Sequence, residues 1–140
     1  MKYQFNNKLW LIYQNTYFDM PKLPNLKKNL CVITACNPFG TTLSNEQNIY
    51  RNSELAHDLD AMANDVIELS AGNIDFSYCE TSFIFECDKE QAVELGKKWQ
   101  QNAIFWIEQG TLYLIACRPI DGKTPESVCL GAFLERTKIK

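Results

Sequence analysis

Seven polar side chains hold the chemical interest of this chain: Asn37, Asn48, Arg51, Asn52, Glu80, Ser82 and Gln101. Asn37 stands before Pro38, and a residue in that position is held in an extended or turn conformation that stops a strand. Its amide could meet a ligand, or close an Asx-turn that shapes the loop. Asn48 and Asn52 point the same way if their segment is helical; they could grip one polar group together or satisfy the loop backbone. Arg51, on the same helix, could fork onto a carboxylate or phosphate, or pair with Glu54 or Glu80. The free amides of that helix's first turn would add partial positive charge. Glu80, with Ser82 two residues on and on the same side, could act as a general base if burial held its proton. It could equally form half of a buried salt bridge. Gln101 and Asn102 end a second helix, where amides cap backbone carbonyls more often than they touch ligands.

No complete catalytic constellation accompanies these groups. Cys36 lies near a loop and a helix start that could lower its pKa. The single histidine, His57, falls two helical turns beyond Asn48, roughly 10 Å or more from that start. Asn-Pro-Phe-Gly at residues 37–40 holds one glycine and matches no phosphate-binding loop. With one histidine, no CxxC pair and Cys31 to Cys36 as the closest cysteine spacing, zinc is not expected, and no motif implies a cofactor. Tyr78, Trp99, Phe105 and Trp106 sit in runs that read as core packing rather than base stacking.

The elements that must position these residues can be traced in order. Residues 9–18, LWLIYQNTYF, are apolar and aromatic with a period that suits helix or strand, and Pro21 and Pro24 end that element. Residues 30–36 are apolar on both faces and read as a central strand. Ser44 with Gln47 has the form of a capping box opening a helix over 45–63, its core stripe Leu55, Leu59 and Met62. That stripe turns polar at Asn48, Arg51 and Asn52. A short strand follows at 66–69, a turn at Gly72-Asn73, and a strand at 81–87 with Phe83, Phe85 and Cys87 on its core face. Asp88 and Gln91 start a second helix buried through Ala92, Leu95, Gly96 and Trp99. Residues 103–107 and 112–117 form a hairpin across Gln109-Gly110, and Thr124-Pro125 predicts a short closing helix. The order predicts an α+β fold: one mixed or antiparallel sheet of about five strands, with two main helices packed on one face.

One hundred and forty residues, 46% hydrophobic and 22% charged, fit a single domain over 1–140, with a core at about 9–117 and an extension at 118–140. A net charge of −3 argues against nucleic acid as a partner. No run approaches the 18 or so apolar residues of a membrane span, and Asn6, Asn7 and Lys8 occupy the place of a signal peptide's apolar region. A cytoplasmic protein with free cysteines is the expectation.

Four blocks recur together: ITACNP with LSNEQNIYRNSEL, the ETSF of residues 80–83, QNAIFWI at 101–107, and NTYF at 15–18. The joint pattern, from about residue 9 to 117, resembles the bacterial family catalogued as domain of unknown function 3293. Cys36 departs from it where an aromatic residue is common before Asn-Pro. Cys79 stands where proline often precedes the glutamate, and the tail after Pro119 is longer. The resemblance implies a compact α/β-type domain and no assigned activity. Three functions therefore stay open. The first is binding of a small polar or anionic ligand at the Asn-Pro loop and helix N-terminus. The second is a protein-interaction module of inhibitor or immunity type. The third is a small enzyme with Glu80 as base and Arg51 as stabiliser.

Overall fold

Side-chain oxygens begin all three α-helices of this computed structural model, which describes residues 5–140. Asn6 Oδ1 accepts from Leu9 N at 2.9 Å and opens α1 (Asn7–Tyr13). Ser44 and Gln47 exchange both bonds of a capping box at the start of α2 (Asn45–Met62). Asp88 accepts from Gln91 N at 2.8 Å at the start of α3 (Lys89–Lys98), which ends on Lys97 and Lys98, where cations suit the helix dipole.

The strands are β1 (Tyr17–Met20), β2 (Leu30–Ile33), β3 (Ile67–Gly72), β4 (Cys79–Glu86), β5 (Ala103–Glu108), β6 (Thr111–Ala116), β7 (Val128–Ala132) and β8 (Thr137–Ile139). They form one sheet in the order β7-β6-β5-β2-β4-β3-β1-β8. Every neighbouring pair is antiparallel except β1 and β8, so the sheet is mixed. It curls strongly into a half-barrel.

Among the described residues, eight strands replace the five expected. The ambiguous segment at 9–18 is two elements, since α1 ends at Tyr13 and β1 begins at Tyr17. The closing helix predicted at Thr124-Pro125 is absent: those residues lead into β7. The reason is non-local. A strand there pairs with β6, Tyr113 opposite Cys129 and Leu114 opposite Val128, while Val128 and Leu130 pack near Trp10 and Leu114. A short helix would leave the β6 backbone groups unpaired.

Helices α2 and α3 lie on one face of the sheet, over Cys31, Ile33, Phe83, Phe85, Ile104 and Trp106. The opposite face carries Phe18, Met20, Leu30, Val32, Ile84 and Ile107, which the curled sheet wraps around Phe133, itself fully buried. Trp10 of α1 packs at one end of that face against Leu114, Ala116 and Ile120. Strand β4 is thus covered on both sides from Ser82 to Phe85 rather than on one, because the half-barrel has a second core. The α2 stripe is Leu55 and Leu59; Met62 is 40% exposed. Among the described residues, no helix is long and apolar enough to cross a membrane.

Candidate functional site

Beyond Ile33 the chain leaves the ladders of β2 with β4 and β5, and the backbone of residues 35–37 pairs with no strand. Side chains supply its hydrogen bonds instead. Asn52, buried on α2, accepts from Ala35 N at 2.8 Å and donates to Thr81 O at 3.0 Å and to Cys36 Sγ at 3.3 Å. The preceding residue, Arg51, donates from Nε to Ala35 O at 2.6 Å. Thr34 Oγ1 accepts from Cys36 N, Gln101 Nε2 donates to Cys36 O at 3.1 Å, and Asn48 Oδ1 accepts from Asn37 N at 2.9 Å. Every amide and carbonyl from Ala35 N to Asn37 N is matched, as buried backbone requires.

Asn37 adopts φ 48° and ψ 66°, the left-handed conformation rather than an extended one. Asparagine is among the few residues that tolerate it. The turn lets the side chain face three ways. Its Oδ1 accepts from Leu43 N and Asn48 Nδ2, both at 2.9 Å. Its Nδ2 donates to Glu80 Oε2 at 3.0 Å and to the Tyr78 hydroxyl at 3.1 Å. Tyr78 in turn donates to the same Glu80 Oε2 at 2.6 Å. Burial, then the bond and charge of Glu80, push the Tyr78 phenol well above its ordinary range, so Tyr78 stays a neutral donor.

A cleft of about 610 Å³ opens at this corner between α2, the loop before it and the start of β4. Asn37, Asn48, Asn52 and Glu80 line it, as do Tyr78, Cys36 and Glu68. Leu43, Ile49, Ala56 and Phe83 supply an apolar wall. Arg51, Ser82 and Gln101 do not line it. Arg51 is spent on Ala35 O, Gln100 Oε1 and Trp99 O, and it pairs with neither Glu54 nor Glu80. Burial lowers its pKa. Ser82 is 2% exposed and donates only to Glu80 O, at 3.3 Å. Gln101 caps the carbonyls of Cys36 and Trp99. Asn102 bridges Tyr13 OH and Arg118 Nη1.

Glu80 takes part in none of the ion pairs found among the described residues, so the buried salt bridge is replaced by a carboxylate held by an amide and a phenol. Cys36 is buried, and burial followed by the nearby Glu80 charge raises its pKa, which opposes nucleophilic use. His57 is exposed. No group of three or more His, Cys, Asp or Glu able to hold a metal occurs among the described residues. Tyr78, expected in the core, is 58% exposed. It stands immediately before β4, two residues from Glu80, and that i,i+2 spacing was the available signal.

No curated protein and no solved structure matches the chain. One family matches residues 33–104, from the end of β2 to the start of β5, and is described as Protein of unknown function (DUF3293). The match leaves out the aromatic segment at 15–18 and residues 105–107 of the 101–107 block, and it includes Asn37, Asn48, Arg51, Asn52, Tyr78 and Glu80. Spanning just over half of the 140 residues, it shows that the chain belongs to the DUF3293 family.

Proposed function

We propose that the cleft beside Glu80 receives a small polar ligand. One observation supports this above the others: Glu80 lines the cleft with Oε2 held by two donors, while its Oε1 has no hydrogen-bond partner among the described residues. A carboxylate fixed in this way is preorganised to accept from a guest without first breaking a bond. The volume falls in the usual range for small-molecule sites. The lining contains two carboxylates, Glu68 and Glu80, and no lysine or arginine. The Ser44–Gln47 capping box takes two of the amides at the N-terminus of α2. The polar form of the expectation is therefore kept and the anionic form set aside.

The test is an amide chemical-shift survey of the full chain against small polar metabolites. Binders should move residues 37, 48 and 80, and Ala56→Trp, which crowds the cleft, should abolish the shifts while the rest of the spectrum persists. Binders that move only distant amides would refute the site.

A second reading, a protein-interaction surface, has its own support. Ile49, Tyr50, Ile74 and Tyr78 are 69%, 66%, 72% and 58% exposed on α2 and the β3–β4 connection, more apolar exposure than a polar rim requires. The enzyme reading needed Arg51 and Glu80 in one pocket; Arg51 does not line the cleft, so that reading is not pursued.

A further inference from the structure

The charge of the cleft is one-sided, and that asymmetry speaks to the chemistry of its guest. Both Nδ2 hydrogens of Asn37 are used, on Glu80 and Tyr78. Both of Asn52 are used, on Thr81 O and Cys36 Sγ. The Tyr78 hydroxyl hydrogen is on Glu80. Asn48 has given one Nδ2 hydrogen to Asn37 and retains one. Neutral donors remain on Thr42, Asn45, Asn48 and Thr81, but the charged groups of the lining are the carboxylates of Glu80 and Glu68. A neutral or anionic acceptor finds only neutral donors here, while a cationic donor finds negative oxygens, Glu80 Oε1 foremost.

Resting on the ligand-cleft reading above, we infer that the guest is an amine, with its ammonium on Glu80 Oε1 and an apolar body along Ile49, Ala56 and Phe83. Charge favours this choice. The cleft is lined by two carboxylates and no cationic side chain, and the nearby Arg51 guanidinium is committed to Ala35 O, Trp99 O and Gln100. An ammonium gives the charge-assisted hydrogen bond that a neutral head cannot. The exposed Tyr78 ring stands beside Glu80, where an aromatic face adds attraction for a cation. The apolar wall favours an amine carrying a hydrocarbon body over a bare ammonium ion. A metal ion is a poorer guest, since no three-ligand group converges among the described residues.

The experiment uses three probes with one body and different heads: benzylamine, benzyl alcohol and benzoate, each titrated into the full chain at neutral pH while amide shifts are followed. Benzylamine is expected to shift residues 49, 78 and 80 saturably, the alcohol more weakly, and benzoate not at all. Glu80→Gln is the informative variant. Its amide oxygen can still accept from Asn37 and Tyr78, so the corner is kept, but the free acceptor becomes a donor. It should weaken benzylamine by roughly tenfold or more, the scale of a lost charged hydrogen bond, and leave benzyl alcohol nearly unchanged. Benzyl alcohol or benzoate binding as tightly as benzylamine, or benzylamine unaffected by Glu80→Gln, would overturn the amine and leave the cleft standing. If none of the three moves the cleft amides while Ala56→Trp still blocks another polar metabolite, the amine alone is again refuted. If nothing at all moves them, both inferences fall.

Discussion

Asn37 and Asn48 hold each other reciprocally: Asn48 Oδ1 accepts from Asn37 N, and Asn48 Nδ2 donates to Asn37 Oδ1, each at 2.9 Å. The pair ties the end of the central strand to the second turn of α2 and sets the left-handed turn that brings the Asn37 amide to Glu80. Strand, helix and cleft therefore share one joint.

That joint separates two costs. Asn37→Ala should lose about 2–4 kcal/mol, combining unmatched polar partners with left-handed strain. Asn37→Gly loses the same hydrogen bonds without the strain, and should be more stable than the alanine variant by about 1 kcal/mol. Urea unfolding of both decides it. Equal midpoints would show that the backbone conformation is not what asparagine answers.

Arg51 is expected to matter for folding. Arg51→Ala should destabilise by about 2–3 kcal/mol, because two backbone carbonyls lose a charged donor. Arg51→Lys should restore less than half of that, since one ammonium cannot span Ala35 O, Trp99 O and Gln100 as a planar fork does. A lysine variant of wild-type stability would contradict the triple anchor.

Gly96 lets α3 approach the sheet. A Cβ at this position would overlap Cys117 Sγ and lie 2.8 Å from Ile104 Cγ2. Gly96→Ala should cost about 1–3 kcal/mol by overpacking. Adding Cys117→Ala removes the sulfur, so the double variant should be more stable than the sum of the two single effects. Strict additivity in a denaturation cycle would place the strain elsewhere.

Alkaline pH should unfold the protein. Burial lifts the Cys117 thiol from 9.0 up to about 12, and it also raises Cys31 and Cys36. Burial raises the Tyr13 phenol from 10.0 as well, and that of Tyr78 further. A group whose folded pKa is raised contributes fully below its unfolded value. That contribution is lost as pH climbs, because the unfolded chain releases the proton first. Urea midpoints in reductant should stay flat from pH 7 to about 9 and fall steadily above it. A midpoint unchanged at pH 11 would mean that these thiols and phenols are solvated in the native state.

The two main helices, the central strand and the hairpin were legible because their signals are local. The Ser44–Gln47 and Asp88–Gln91 caps each span three residues. The Gln109-Gly110 turn, with both residues at positive φ, joins adjacent strands. Strands β1, β7 and β8 were not legible in this way. Thr137 meets Phe18 in the β1–β8 ladder, and no short window of sequence contains that pairing. The site divides along the same line. Its asparagines and Glu80 could be nominated by type and spacing, while the turning of Arg51 away from the cleft could not.

The sequence by itself determined where the two main helices begin, which residues are apolar enough to fill a core, and which polar groups gather at the end of β2. Only the tertiary structure decided how those polar groups are spent. Glu80 meets Asn37 across 43 residues, and Arg51 reaches Trp99 across 48. The physical reason is competition: a side chain's hydrogen bonds go to whichever unmatched backbone or carboxylate the fold brings within reach, and the polar atoms left over line the cleft.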